Sequence, residues 1–140
     1  MEDGTIVGTR KLLLATGVLD DLPEKPGFRE FWSRGVYHCP YCHGWEVRDR
    51  PPAVLNSGED AAEQAALLRN WCRDLILLTD GPARLDDGAR EKLGARGVPI
   101  NETPISRVEG DETAGIIHRI VFEDGSEASR EGLFYGPPQR

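Results

Sequence analysis

Ala53-Val54-Leu55-Asn56-Ser57-Gly58-Glu59-Asp60-Ala61 opens on a short apolar run, turns through a polar loop and leads into a stretch with helical spacing. From Ala61 to Trp71 the spacing predicts a helix whose face carries Ala61, Ala65, Leu68 and then Cys72, with Glu63, Gln64 and Arg69 elsewhere. Pro51-Pro52 break the chain before the strand, and Ser57 and Asp60 are the capping candidates for the helix. Leu75-Ile76-Leu77-Leu78-Thr79 reads as a second buried strand, ended by Asp80-Gly81-Pro82. Asp86 to Arg96 reads as a second helix closed by Gly97, and Val98-Pro99-Ile100 as a third strand. The order β-α-β-α-β requires a parallel sheet with crossover helices, because parallel strands cannot be joined by tight turns.

The pattern then changes. Ile116 to Phe122 is extended and apolar, and Glu123-Asp124-Gly125-Ser126 carries the Asp-Gly signal of a hairpin. Arg107-Val108-Glu109 is the candidate third strand of that hairpin, and Leu133-Phe134-Tyr135 a last short strand. The expected fold class is α/β: a Rossmann-like parallel sheet with crossover helices and a small antiparallel β flap, three layers in ββα order. Before this core, Arg10-Lys11-Leu12-Leu13-Leu14-Ala15 reads as a short strand ended by Thr16-Gly17. A connector with Pro23 and Pro26 comes next, and Phe28 to Trp32 reads as one helical turn. The chain reads as cut at both ends, since the first strand precedes the core and Tyr135 to Arg140 has no closing helix.

With 140 residues the chain has the length of one domain. Its 17 basic and 24 acidic residues leave a net charge of −7, which argues against nucleic-acid and anionic-membrane partners. No apolar run is longer than that of Leu12 to Ala15, which is too short to span a bilayer. Met1-Glu2-Asp3-Gly4 has no secretory character, which points to the cytoplasm.

Three cysteines do not make a disulfide framework. Two of them stand in His38-Cys39-Pro40-Tyr41-Cys42-His43-Gly44. A CxxC in a cytoplasmic chain is redox-active or metal-binding. In the redox reading Cys39 and Cys42 close a disulfide across one turn, helix-start N–H groups favour a thiolate, and His43 carries the proton. Zinc is the alternative, with His38, Cys39, Cys42 and His43 as donors, but consecutive side chains diverge and no second ligand pair is present. A glutaredoxin-like site also reads Cys-Pro-Tyr-Cys, but Arg48-Asp49-Arg50-Pro51-Pro52 stops the long helix it needs. Cys72, beside Trp71, reads as a core cysteine, His118 as a surface hairpin residue, and Trp32 and Trp45 as packing groups.

The dinucleotide fingerprint has Gly-x-Gly-x-x-Gly/Ala between strand and helix. Gly58 and Ala61 fit its second and third positions, and Asn56, tolerant of left-handed turns, stands at the first. The candidate nucleotide contacts are therefore Asn56, Ser57, Gly58, Glu59, Asp60 and Ala61. Asp80, at the end of the second strand, is placed to read ribose hydroxyls and to repel a 2′-phosphate, and Arg84 is the nearest phosphate partner. Glu59 and Asp60 put negative charge where a pyrophosphate would sit. The other reading of the loop is an ordinary turn in a parallel sheet.

In sequence order, Leu14-Ala15-Thr16-Gly17, Cys39 with Cys42, Asn56 to Ala61, and Glu131-Gly132-Leu133-Phe134 together resemble the thioredoxin-reductase-like family of FAD-dependent pyridine nucleotide–disulfide oxidoreductases. The Cys-x-x-Cys-His-Gly order is similar to the branch that holds the gliotoxin and holomycin dithiol oxidases. The resemblance implies the NAD(P)-binding domain of the FAD/NAD(P)-binding fold, with FAD and NAD(P)H as cofactors. It makes Cys39 and Cys42 the redox pair, with Cys42 nearer the flavin, and His43 the proton shuttle. It adds Thr16 and Gly17 as a remnant of the FAD domain. Residues 1–35 would then be a stub and connector from the FAD domain, 36–132 the nucleotide and disulfide domain, and 133–140 a return stub. The expected substrate is a small-molecule or protein disulfide or dithiol, and a homodimer is open as the assembly. His43 stands where thioredoxin reductases proper carry Asp, and their paired arginines are missing after Thr79.

Overall fold

The alternation of apolar side chains along a few short strands explains the architecture. In the computed structural model, which describes residues 3–140, Val36–Tyr37 (β1), Pro52–Leu55 (β2), Ile76–Leu78 (β3), Ile100–Asn101 (β4) and Gly132–Tyr135 (β8) form one sheet in the order β1-β8-β2-β3-β4. Each neighbouring pair is parallel, with Val36 opposite Leu133 and Ala53 opposite both Leu133 and Ile76. Met1 and Glu2, which open the acidic N-terminus, lie outside the described residues.

Successive strand residues face opposite layers, so one strand feeds two cores. Ala53, Leu55, Leu78 and Leu133 pack with Phe28, Phe31, Ile105, Ile117 and Phe122. Val54, Leu77 and Phe134 pack on the other face with Ala61, Ala65, Leu68, Cys72 and Leu93. The second layer consists of helices Ala61–Leu68 (α2) and Asp87–Ala95 (α3). The first is an antiparallel sheet of Ile105–Asp111 (β5), Ile116–Phe122 (β6) and Glu127–Ser129 (β7), with a turn through Gly125 at φ +84°. The expected three layers are all present. Gly27 lets the connector lie against this flap: a Cβ there, at φ +91°, would strike the carbonyl oxygen of Val108.

Residues 133–135 form the last strand expected, between β1 and β2, with Leu133 and Phe134 fully buried. The connector contributes Phe28 and Phe31 to the core. Two expectations need correction. Residues 10–15 form no strand; Leu12, Leu13 and Leu14 are 76–87% exposed, because no layer of this chain covers them. Asp60 stands at the N-cap of α2 without capping it through its side chain, whereas Asp86 accepts the Ala89 N–H at 2.6 Å and caps α3.

Candidate functional site

In an all-parallel sheet every strand ends on the same edge, and ligands of such sheets lie beyond the strand C-termini. Here that edge gathers the segments leaving β1, β2, β3 and β8: His38-Cys39, Asn56 to Ala61, Thr79-Asp80 and Gly136.

After β1, Cys39 remains extended (φ −109°, ψ 116°) and Pro40 starts the single helical turn Pro40–His43 (α1). Proline fits there because its missing N–H would have no helical partner. The Cys42 and His43 N–H groups return to the Cys39 carbonyl oxygen at 3.2 Å, and Gly44 closes the turn onto Pro40 at 2.7 Å. Cys39 is half-buried, Cys42 is exposed, and both are free thiols. The neighbouring Cys42 side chain, with the Cys42 and Tyr41 N–H groups, holds the Cys39 thiol below its ordinary range. The same closeness to Cys39 pushes the Cys42 thiol up. Cys39 is thus the sulfur prepared to be a thiolate.

His43 stacks on Tyr37 at 4.8 Å, Tyr37 leans on Phe134 at 5.5 Å, and the Tyr37 hydroxyl donates to the Arg34 carbonyl oxygen at 2.5 Å. The His43 Nδ1 is buried without a hydrogen-bond partner. Tyr41 and Trp45 are largely exposed beside Cys42, and the Arg48 guanidinium lies 4.1 Å over the Trp45 ring. Trp45 is therefore no packing group, while Trp32 packs against the core as expected. Cys72 is the buried core cysteine expected, donating to the Val47 carbonyl oxygen at 3.2 Å; burial pushes its thiol up. His118 is exposed on β6. Among the described residues no group of three His, Cys, Asp or Glu side chains converges to hold a metal ion.

The loop after β2 is closed on itself. Asn56 Oδ1 accepts the Gly58 N–H at 2.8 Å, and Asn56 Nδ2 donates to Asp60 Oδ1 at 3.2 Å and Gln64 Oε1 at 2.9 Å. At the end of β3, Asp80 sits at φ +52° and accepts from the Lys25 ammonium at 2.6 and 2.7 Å and from the Ile105 N–H at 2.6 Å. Gln64 and Lys25, partners unseen in the sequence, thus engage two of the expected nucleotide contacts. Two openings lie along the edge. One, of about 550 Å³, runs between the cysteine turn and α2 and is lined by His38, Pro40, Tyr41, Asn56, Asp60 and Glu63 among others. The other, of about 230 Å³, lies between Ser57, Thr79, Asp80 and Tyr135. Thr16 and Gly17 lie in the exposed segment before β1 and line neither, so the residues given to FAD form no built site here.

The chain is 32% identical over 130 residues to the thioredoxin reductase aclD of Aspergillus oryzae, a match covering 88% of this chain and 41% of that protein. Its fold superposes on the solved structure of HlmI with a TM-score of 0.80 at 38% identity, covering 89% of this chain and 38% of that one. Over nearly its whole length the chain is similar to thioredoxin-reductase-like proteins. A putative thioredoxin reductase TrxB of Bacillus anthracis likewise superposes with a TM-score of 0.80 at 29% identity, over 90% of this chain and 42% of that one. No family model matches the chain. It spans about two-fifths of the length of these thioredoxin-reductase-like proteins. Among the described residues no helix is long and apolar enough to cross a membrane.

Proposed function

We propose that this chain is the disulfide-bearing part of a flavin-dependent disulfide oxidoreductase of thioredoxin-reductase type, with a small-molecule or protein dithiol or disulfide as substrate. The observation that carries the reading is the placement of two free thiols, Cys39 and Cys42, on one turn at the sheet edge, with the Cys39 thiol lowered beside a second sulfur. FAD and NAD(P)H enter as the electron partners that the resemblance implies, in a cytoplasmic protein longer than this chain. Residues before Asp20 and after Pro138 would lead toward the FAD-binding part. The antiparallel pairing of Asp20 with Gln139, and the exposed Leu12, Leu13 and Leu14, support that assignment.

The chemistry at the sulfurs balances within the chain and its substrate. The Cys39 thiolate attacks one sulfur of a disulfide, that S–S bond breaks, and the departing thiolate takes up a proton. Cys42 then loses its proton and attacks the Cys39 sulfur of the mixed disulfide. The second substrate thiolate leaves and is protonated. Two protein thiols have been oxidised and one disulfide reduced to two thiols; a dithiol substrate runs the same steps in reverse. His43 accepts and returns the proton, its ring oriented by the stack on Tyr37.

The test is a thiol count on denatured protein before and after mild oxidation. Three thiols should fall to one, Cys72, and return with reductant. Three thiols surviving oxidation would remove the redox role.

A further inference from the structure

We propose that the nucleotide crevice of this chain is filled by its own side chains and so rejects the pyrophosphate and ribose of NADH and NADPH. This keeps the disulfide role proposed for the chain and departs from the resemblance on one partner, NAD(P)H, whose expected place is this crevice.

The second glycine of a dinucleotide loop serves to let the pyrophosphate approach bare backbone. At Gly58 that space is taken. A Cβ built there would meet Asp60 Oδ1 at 3.0 Å and Asn56 Oδ1 at 3.2 Å, two oxygens that repel a phosphate. The Gly58 N–H, a donor the pyrophosphate would use, is already held by Asn56 Oδ1 at 2.8 Å. Asn56 is pinned in turn by Asp60 and Gln64, so it does not swing clear as a free side chain would. The exposed carboxylates of Glu59, Asp60 and Glu63 surround the start of α2, and they offset the attraction a helix N-terminus has for anions.

The ribose end is occupied by a different device. Asp80 holds the strand-end position from which a carboxylate reads ribose hydroxyls, but the Lys25 ammonium spans both of its oxygens, and the Ile105 N–H takes Oδ1 as well. Lys25 makes a third bond to the Ile105 carbonyl oxygen at 2.7 Å, so its three N–H groups are all used and none is left for a 2′-phosphate. Arg84, the expected phosphate partner, is exposed and shares its small crevice with Glu59 and Asp86. Asn56, the Gly58 N–H and Asp80 thus each have an intramolecular partner of matched chemistry. The redox pair must then exchange electrons without a nicotinamide bound to this domain.

Titration calorimetry and thermal shift with NADH and with NADPH decide the matter on the wild-type chain and on two variants, Asn56→Gly/Asp60→Ser and Lys25→Met. The wild type should show neither heat nor shift at about 1 mM of either nucleotide. Asn56→Gly/Asp60→Ser, which clears the space over Gly58, should gain at least about tenfold in affinity for NADH, and Lys25→Met should gain a smaller factor. Wild-type binding below about 100 µM overturns the proposal. So does failure of both variants, checked as folded by their unliganded melting, to gain affinity. If the double variant does not fold, Asn56→Gly alone replaces it and is judged by the same gain. The thiol count after mild oxidation is a separate readout, so loss of the redox role and loss of this proposal are told apart.

Discussion

The cysteine turn after β1 and the loop after β2 occupy the same sheet edge and are both polar, yet they treat their polar groups in opposite ways. The loop leaves little available: Asn56, Asp60, Gln64 and Gly58 bond to one another, and Asp80 bonds to Lys25. The cysteine turn leaves Cys42 exposed, the His43 Nδ1 buried without a partner, and Tyr41 and Trp45 largely exposed. Buried polar groups are ordinarily satisfied, so an unsatisfied one is costly and points to a use outside the resting structure. In the function proposed here the chemistry sits at the turn and the loop serves as architecture.

The largest effect that would break this contrast is at Cys39. Cys39→Ser should lower the rate of exchange with a small neutral disulfide by at least about 100-fold at neutral pH, because the remaining Cys42 lacks the donor that favours a thiolate. A stopped-flow rate within tenfold of wild type would move the nucleophile elsewhere. Next comes Phe134, which underlies Tyr37 and belongs to the helix-side core of both regions. Phe134→Ala should cost about 3–5 kcal/mol in urea unfolding of the reduced protein. A cost below about 1 kcal/mol would mean that the two regions share no support.

Cys42→Ala sharpens the contrast through pH. The Cys42 side chain lowers the Cys39 thiol, so below the ordinary thiol range part of Cys39 is already ionised. Removing that side chain should move the alkylation profile of Cys39 to higher pH and slow alkylation at neutral pH several-fold. An unmoved profile would assign the lowering to the helix-start N–H groups. The linkage has two signs. The stability contributed by Cys39, whose thiol is lowered, is present above the ordinary thiol range and is lost as pH falls through its own lowered value. The stability contributed by Cys42, whose thiol is raised, is present below the ordinary range and is lost as pH rises through its raised value. Smallest is Lys25→Met on stability. It leaves the Asp80 carboxylate without its cation, and thermal unfolding should report a loss of about 1–2 kcal/mol. No loss would show that Asp80 is held by the Ile105 N–H alone.

What could be seen in the sequence was what neighbours along the chain decide. The helix over Ala61 was legible because Ala61, Ala65, Leu68 and Cys72 recur at its period and all face one core. The flap was legible because Asp124-Gly125 turns between two extended runs. β1 was not, because two residues carry no period; Val36 and Tyr37 are a strand only through Leu133 and Phe134, far along the chain. Leu12, Leu13 and Leu14 have the composition of a strand but find no partner layer here, so propensity stands unsupported. At the site, Cys39, Cys42 and the Asn56 loop announced themselves by spacing. Tyr37, Gln64 and Lys25 did not, since each matters only through a residue that folding brings to it, across 55 positions for Lys25 and Asp80.

The chain enters and leaves the sheet side by side: Leu19 and Arg140 exchange backbone hydrogen bonds at 2.8 and 3.1 Å, and Arg140 pairs with Asp21 at 2.9 Å. A unit whose two ends touch closes a host's loop with almost no extra gap to bridge, and loop-closure entropy grows only slowly with what lies inside. Residues 19–140 thus span a unit whose entry and exit lie within hydrogen-bond reach of each other, so a host joined through both would bridge almost no gap.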